Sequence, residues 1–308
     1  MLAYLYPGQG AQSAGFLHRL PPNAAVRDTL DEASQVLGLD VLTLDSADAL
    51  RSTVAVQLSL VIAGVAMTRQ LAAEGLGPEM CAGLSIGAYA AAVGCEALAF
   101  ADALHMAKKR AELMESAYPG GYGLSAISGL TEHEIEALAR GTENDAAGRI
   151  YIANVNAPRQ IVVAGSDAAL AAFNERALAA GARKATRLDV SVPSHCELLA
   201  HASDELLAYS ANVPFRAPRS TYIGNRSARP LHSADAVRDD LATNMRHTVR
   251  WFDALSVMIE MGATLLVQAP PGQVLTDIAA DAYPDVRAIS ASTIAHDKLA
   301  ETIRRRLG

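Results

Sequence analysis

The sequence is short of cysteine, of lysine and of net positive charge, and each shortage excludes a class of protein. Three cysteines in 308 residues, Cys81, Cys95 and Cys196, are odd in number, too few for a disulfide scaffold, and without the paired spacing of a zinc site. They read as core thiols in a reducing cytoplasm. A formal net charge of -7 and a pI near 5.6 argue against nucleic acid or an anionic membrane as the main partner. Long apolar runs are also missing. The two most apolar stretches, 54–67 and 81–104, are broken by Gln57 and Ser59 and by Ser85, Gly87 and Glu96, short of the ~20 apolar residues that span a bilayer. The first six residues carry no basic region and run into Pro7-Gly8, so they read as a buried strand rather than a secretory signal. Repeats and low-complexity segments are absent. Only Lys108, Lys109, Lys184 and Lys298 are lysine, so 22 of the 26 basic residues are arginine, the residue suited to bidentate recognition of carboxylate or phosphate.

What is present is apolar and patterned. With 51% hydrophobic and 19% charged residues, the chain can bury a large core, as one large domain or two ordinary ones. Leu2 to Tyr6 reads as a strand, Ala25 to Leu37 and Val54 to Glu74 as helices, and Met80 to Leu84 as a short strand entering a helix at Ile86. Strands alternating with helices imply an α/β fold with parallel pairing. From about Gly123 the rhythm changes. Strands at Leu124 to Gly129, Ile150 to Asn156, Gln160 to Ala164 and Lys184 to Val190 enclose two helices, from Thr131 with a capping-box pattern and over Asp167 to Gly181. That β-α-β-β-α-β order is the split motif of a ferredoxin-like domain, placed as an insert at 123–190. Afterwards a strand at Thr264 to Gln268 and helices at Leu275 to Ala280 and Ala295 to Arg306 resume the larger unit.

The strongest local signal is Gly83-Leu84-Ser85-Ile86-Gly87, a G-x-S-x-G between a strand and a helix, the pattern of a nucleophile elbow. The helix N-terminus, with the amide of Ile86, points at any oxyanion formed there. A packed small-residue turn is the structural alternative. Serine needs a base, and eight histidines compete. His105, His133 and His296 fall in predicted helices, and His18, His201, His232 and His247 lie in loop or polar settings. His195 follows the last strand of the insert in Ser191-Val-Pro-Ser-His195-Cys196, a loop of the kind that carries function. Pro7-Gly8-Gln9-Gly10 after the first strand lacks a phosphate-loop signature, which leaves Gln9 as a donor at the sheet mouth. Arg110, in a helix over Ala101 to Ala117, is either part of a solvated basic face with Lys108 and Lys109 or a fork for a substrate carboxylate.

Together these residues resemble the malonyl-CoA:acyl-carrier-protein transacylases. The resemblance rests on Pro7-Gly8-Gln9-Gly10, Gly83 to Gly87, Arg110, Ser191 to Cys196, and Asn244 before Val249-Arg250-Trp251. It implies an α/β-hydrolase-like catalytic domain of residues 1–122 and 191–308, interrupted by a ferredoxin-like small domain at 123–190. It also implies Ser85 as nucleophile, His195 as base, and Asn244 as the residue whose carbonyl orients the histidine. The amides of Gln9 and Ile86 would form the oxyanion hole, with Arg110 on the malonyl carboxylate. Malonyl-CoA would be the substrate, no metal or bound cofactor would be needed, and the partner would be an acyl carrier protein with a phosphopantetheine-type arm. One departure stands out: family members of fatty-acid synthesis read G-H-S-L-G, whereas Leu84 and Ile86 stand here. With Ala117-Tyr-Pro-Gly-Gly-Tyr-Gly123, this looks more like the malonyltransferase subunit of biotin-independent malonate decarboxylase, which primes a carrier protein alongside other decarboxylase subunits. Malonyl loading for fatty-acid or polyketide synthesis, a serine esterase or thioesterase, and a non-catalytic carrier-docking subunit are the competing readings. Hydrolases place their acid between serine and histidine, but Asn244 follows His195. Because carrier proteins are acidic, a basic patch is expected near the site mouth.

Overall fold

Residues 1–142 and 148–307 are described by the structure, a computed structural model. Its centre is strand β1 (Leu2–Tyr6), five residues all buried. Alternation along β1 sends Leu2, Tyr4 and Tyr6 into one core and Ala3 and Leu5 into another, because successive side chains leave a strand on opposite faces. The first core is closed by α1 (Ala24–Leu37), α2 (Thr53–Ala73), α3 (Gly87–Gly94) and α4 (Phe100–Ala117). By length and composition α2 could cross a bilayer, but 89% of its apolar window is buried inside the protein, as befits a central core helix. Strand β2 (Met80–Gly83) pairs in parallel with β1, Tyr6 opposite Gly83, so the loops that leave both strands emerge side by side. Helix α4 leads out of this first part of the chain.

The next segment builds a second sheet. It comprises β3 (Tyr122–Ser128), α5 (Glu132–Arg140), β4 (Tyr151–Ala157), β5 (Gln160–Ser166), α6 (Asp167–Ala179) and β6 (Lys184–Arg187). The strands are antiparallel in the order β4-β5-β3-β6. Ile127, Ile161 and Val163 pack on Ile135, Leu170 and Phe173 of the two helices, while Leu124, Ala153 and Val162 form a smaller cluster with Val190 and Cys196. The Thr131–Glu134 capping box forms as the sequence indicates. Strand β6 stops at Arg187 instead of reaching Val190. The Arg187 guanidinium there donates to the carbonyls of Tyr122, Leu124, Leu188 and Val190, which bends the chain out of the sheet.

The chain then returns through α7 (Ala200–Ser210), β7 (Thr221–Ile223), β8 (Pro230–Leu231), α8 (Ala234–Thr243), α9 (Trp251–Glu260), β9 (Leu265–Gln268), α10 (Val274–Ala282), β10 (Arg287–Ser290) and α11 (Leu299–Leu307). Helix α11 begins four residues later than the pattern suggests, after a 3-10 turn at 296–298. The six-stranded sheet runs β10-β9-β1-β2-β7-β8 and is parallel except at β8. Parallel strands put all their carboxyl ends on one edge, where α/β sheets bind ligands.

Candidate active site

Gly83 to Gly87 forms a sharp turn between β2 and α3, with Ser85 at φ 56°. Left-handed backbone is costly for serine and recurs at functional sites. The two glycines are required by close approach. A Cβ on Gly83 would lie 2.0 Å from the Gly87 carbonyl carbon, and one on Gly87 would lie 2.2 Å from the Tyr6 oxygen. The turn therefore packs directly on the end of β1. Alongside it runs the loop after β1, where a Cβ on Gly8 would come within 2.8 Å of the Leu84 oxygen. The amides of Gln9 and Ile86, one from each loop, donate to no protein acceptor among the described residues.

His195 also takes a left-handed conformation, φ 66°, and is pinned by the 3-10 turn that follows α8. Its backbone N–H donates to Met245 O at 2.7 Å, and its Nδ1 lies 2.9 Å from Asn244 O. A carbonyl only accepts, so Nδ1 carries the proton and Nε2 is left to accept from Ser85 Oγ at 2.7 Å. Burial, and secondarily the Arg110 charge, lower the His195 pKa to about 4, partly offset by hydrogen bonds to the Asn244 and His247 backbone. The imidazole is thus neutral at pH 7, as a general base must be. Among the described residues no carboxylate touches it.

Arg110 is fully buried on α4, facing inward while Lys108 beside it is exposed. Its Nη1 donates to Gln57 Oε1 at 2.8 Å, and its Nη2 to Ser85 Oγ at 3.0 Å and to Asn244 Oδ1 at 3.3 Å. Nε has no partner, and no acidic side chain balances the charge among the described residues. Desolvation lowers its pKa from the usual value, a sign of an unmet charge. A buried guanidinium without an acidic partner among the described residues, 3.0 Å from a serine hydroxyl, can pair with a carboxylate brought to it.

The six sequence-predicted residues, Gln9, Ser85, Ile86, Arg110, His195 and Asn244, come together at the sheet's carboxyl edge. All but Asn244 line one cavity of about 400 Å³, roofed by Leu124, Ala126 and Val162 of the second sheet. The other seven histidines are exposed or half-buried, and His18 pairs with Asp45 at 3.0 Å. Sequence reasoning missed Gln57, read only as an interruption of an apolar run, and the cavity-lining amides Asn154, Asn156 and Gln160. It also missed Asn225, which accepts from Ser85 N at 2.8 Å. A buried glutamine in a core helix was the one signal available. Next to His195 opens a groove with Arg140, Arg149 and Arg246 along it. Each of them pairs with a carboxylate, Arg140 with Glu136 at 3.9 Å, Arg149 with Glu197 at 3.0 Å and Arg246 with Asp204 at 2.5 Å, so this groove, beside the site where a basic patch is expected, carries both signs of charge. Among the described residues no three His, Cys, Asp or Glu side chains cluster as metal ligands.

A family profile described as acyl transferase domain matches residues 3–305. The chain belongs to the malonyl-CoA:acyl-carrier-protein transacylase family. The malonyl CoA-acyl carrier protein transacylase of Escherichia coli K12 is 35% identical over 283 residues, 90% of this chain and 91% of the relative. That of Haemophilus influenzae is 34% identical over 305 residues, 95% and 96% of the two chains. Among solved structures, the acyl-carrier-protein S-malonyltransferase from Burkholderia pseudomallei 1710b superposes with a TM-score of 0.91 at 34% identity, covering 97% of this chain and 99% of that one. A malonyl-transacylase in complex with its type II PKS acyl-carrier protein gives a TM-score of 0.92 at 31% identity, covering 98% and 99%. The protein is therefore an acyltransferase with a mixed α/β fold. In an acyltransferase a neutral histidine that accepts from a serine is the arrangement needed for an acyl-serine intermediate.

Proposed function

We propose that this acyltransferase moves a malonyl group from malonyl-CoA to the prosthetic-group thiol of an acyl carrier protein, through a malonyl ester of Ser85. The observation that carries the reading is Arg110, fully buried, without an acidic partner among the described residues, and 3.0 Å from the Ser85 hydroxyl. The two carboxyl carbons of malonate are one methylene apart, so an acyl group bonded to Ser85 brings its free carboxylate to this guanidinium. Ser85 Oγ attacks the thioester carbonyl as His195 Nε2 takes its proton. The oxyanion is met by the Gln9 and Ile86 amides, and CoA leaves as the thiol with the proton from His195. Asn244 holds the imidazole in register through its carbonyl. The carrier thiol then gives its proton to His195 and attacks the ester carbonyl, and Ser85 Oγ leaves with the proton that His195 returns to it. The reaction needs no metal or bound cofactor, and the free, buried cysteines accord with a cytoplasmic setting.

Arg110→Ala tests the clamp. It is expected to lower malonyl transfer about a hundredfold or more, as losing the partner of a buried charge costs about 3 kcal/mol, while acetyl transfer changes little. Equal losses for the two acyl groups would remove Arg110 from this role.

We also propose the finer domain division, an α/β-hydrolase-like domain of 1–122 and 191–308 with a ferredoxin-like domain at 123–190. The antiparallel order β4-β5-β3-β6, with α5 and α6 on one face, supports it. As acceptor, the elbow Gly-Leu-Ser-Ile-Gly supports a carrier protein of malonate decarboxylase, with other subunits of that system as partners. Leu84 puts an apolar side chain against Gly8 where fatty-acid members have histidine. A competition between a fatty-acid carrier protein and a malonate-decarboxylase carrier protein for one pool of malonyl-enzyme decides this. Preferential labelling of the decarboxylase carrier is expected, and preference for the other assigns the chain to fatty-acid or polyketide synthesis.

A further inference from the structure

The turn that carries Ser85 is closed by a side chain that lies outside every motif in the sequence. Asn225 follows β7 and is 5% exposed. Its Oδ1 accepts from Ser85 N at 2.8 Å and its Nδ2 donates to Gly83 O at 2.8 Å, so one carboxamide grips the backbone on both sides of Leu84. Asn225 is itself fixed at both ends of its peptide. Its N–H donates to Asp240 Oδ1 at 2.9 Å, and its carbonyl accepts from Arg250 N at 2.9 Å. Asp240, buried on α8, also accepts at Oδ2 from Tyr222 O–H at 2.8 Å. Asn225, Asp240 and Tyr222 do not line the substrate cavity.

We propose that Asn225 is the positioning residue of the nucleophile. It replaces the backbone hydrogen bonds that a turn at φ 56° forfeits, and it holds Ser85 Oγ in line with His195 Nε2. The same bond occupies the Ser85 amide, which leaves the oxyanion to the Gln9 and Ile86 amides alone. Asp240 and Tyr222 act one step further back, by fixing the asparagine.

The inference rests on Ser85 being the nucleophile but not on the acyl group being malonyl, and the test keeps the two apart. The full chain and its Asn225→Ala and Asn225→Ser variants are treated with phenylmethylsulfonyl fluoride, which bonds its sulfur to Ser85 Oγ as fluoride leaves and His195 takes the proton. The rate constant of labelling at Ser85 is followed by peptide mass, independently of the folded fraction. The same proteins are then assayed for malonyl transfer. Asn225→Ala is expected to lower both rate constants about a hundredfold, the scale of a misplaced reacting group, while KM for malonyl-CoA stays within about threefold because Arg110 is untouched. Asn225→Ser, which can restore one of the two bonds, is expected to fall between. Rate constants within about threefold of the parent in the folded fraction of Asn225→Ala would overturn the proposal and make Asn225 a purely structural residue. A parent that takes the sulfonyl group but no malonyl group would defeat the malonyl reading and leave the positioning result standing.

Discussion

At the scale of single residues, burial lowers the pKa of two cationic side chains with different outcomes, a neutral His195 and an Arg110 that keeps its charge. His195 is pushed to about 4 by desolvation and by the nearby Arg110, so it remains a neutral base well below the ordinary histidine range. Because the base works only when deprotonated, the rate of malonylation, read as kcat/KM, is expected to stay level as pH falls to about 5 and to drop only through about 4. A limb near the unshifted value of 6.5 would contradict the buried, cation-flanked geometry. The linkage has the same sign for stability. The unfolded chain binds the proton that the native site refuses, so this group's contribution is intact above pH 6.5 and is lost progressively towards about 4. Ser85 and His195 are legible in the sequence because an elbow and a short proline loop are local patterns. Gln57 and Asn225 are not, since each acts across 53 and 140 residues on a partner that only the fold brings near.

At the scale of elements, two loops that leave adjacent parallel strands must sit in contact for the oxyanion hole to exist. Gly8 is where they touch. In Gly8→Ala the new methyl would meet the Leu84 oxygen at 2.8 Å, and backbone on both sides leaves little room to yield. The Gln9 amide is then displaced, and kcat is expected to fall about a hundredfold or more, the usual cost of one oxyanion donor, with KM little changed. Steady-state kinetics with a parallel thermal melt check this, and an unchanged kcat would remove Gln9 from the hole. Helices with strong periodicity or caps, such as α2 and α5, and the strands β1 to β5 are readable within a few residues. The return segment is less so. Strands β7, β8 and β10 are only two to four residues long, too short for an alternating pattern, and Arg187 ends β6 by a side-chain interaction that no pattern of hydrophobicity reveals.

At the scale of the whole molecule, two sheets meet around one cavity. Ser85 comes from the turn after β2, His195 from the loop after β6 and Arg110 from α4, and the antiparallel sheet supplies the opposite wall with Asn154, Asn156 and Gln160. The proposed transfer depends on a malonyl group becoming covalently attached to Ser85. Intact-mass spectrometry of the full chain mixed with malonyl-CoA, before any carrier is added, tests it most directly. The expected result is a gain of one malonyl group, located at Ser85, absent from Ser85→Ala and discharged when a carrier thiol is supplied. An unmodified mass, or an adduct that persists in Ser85→Ala, would contradict the account.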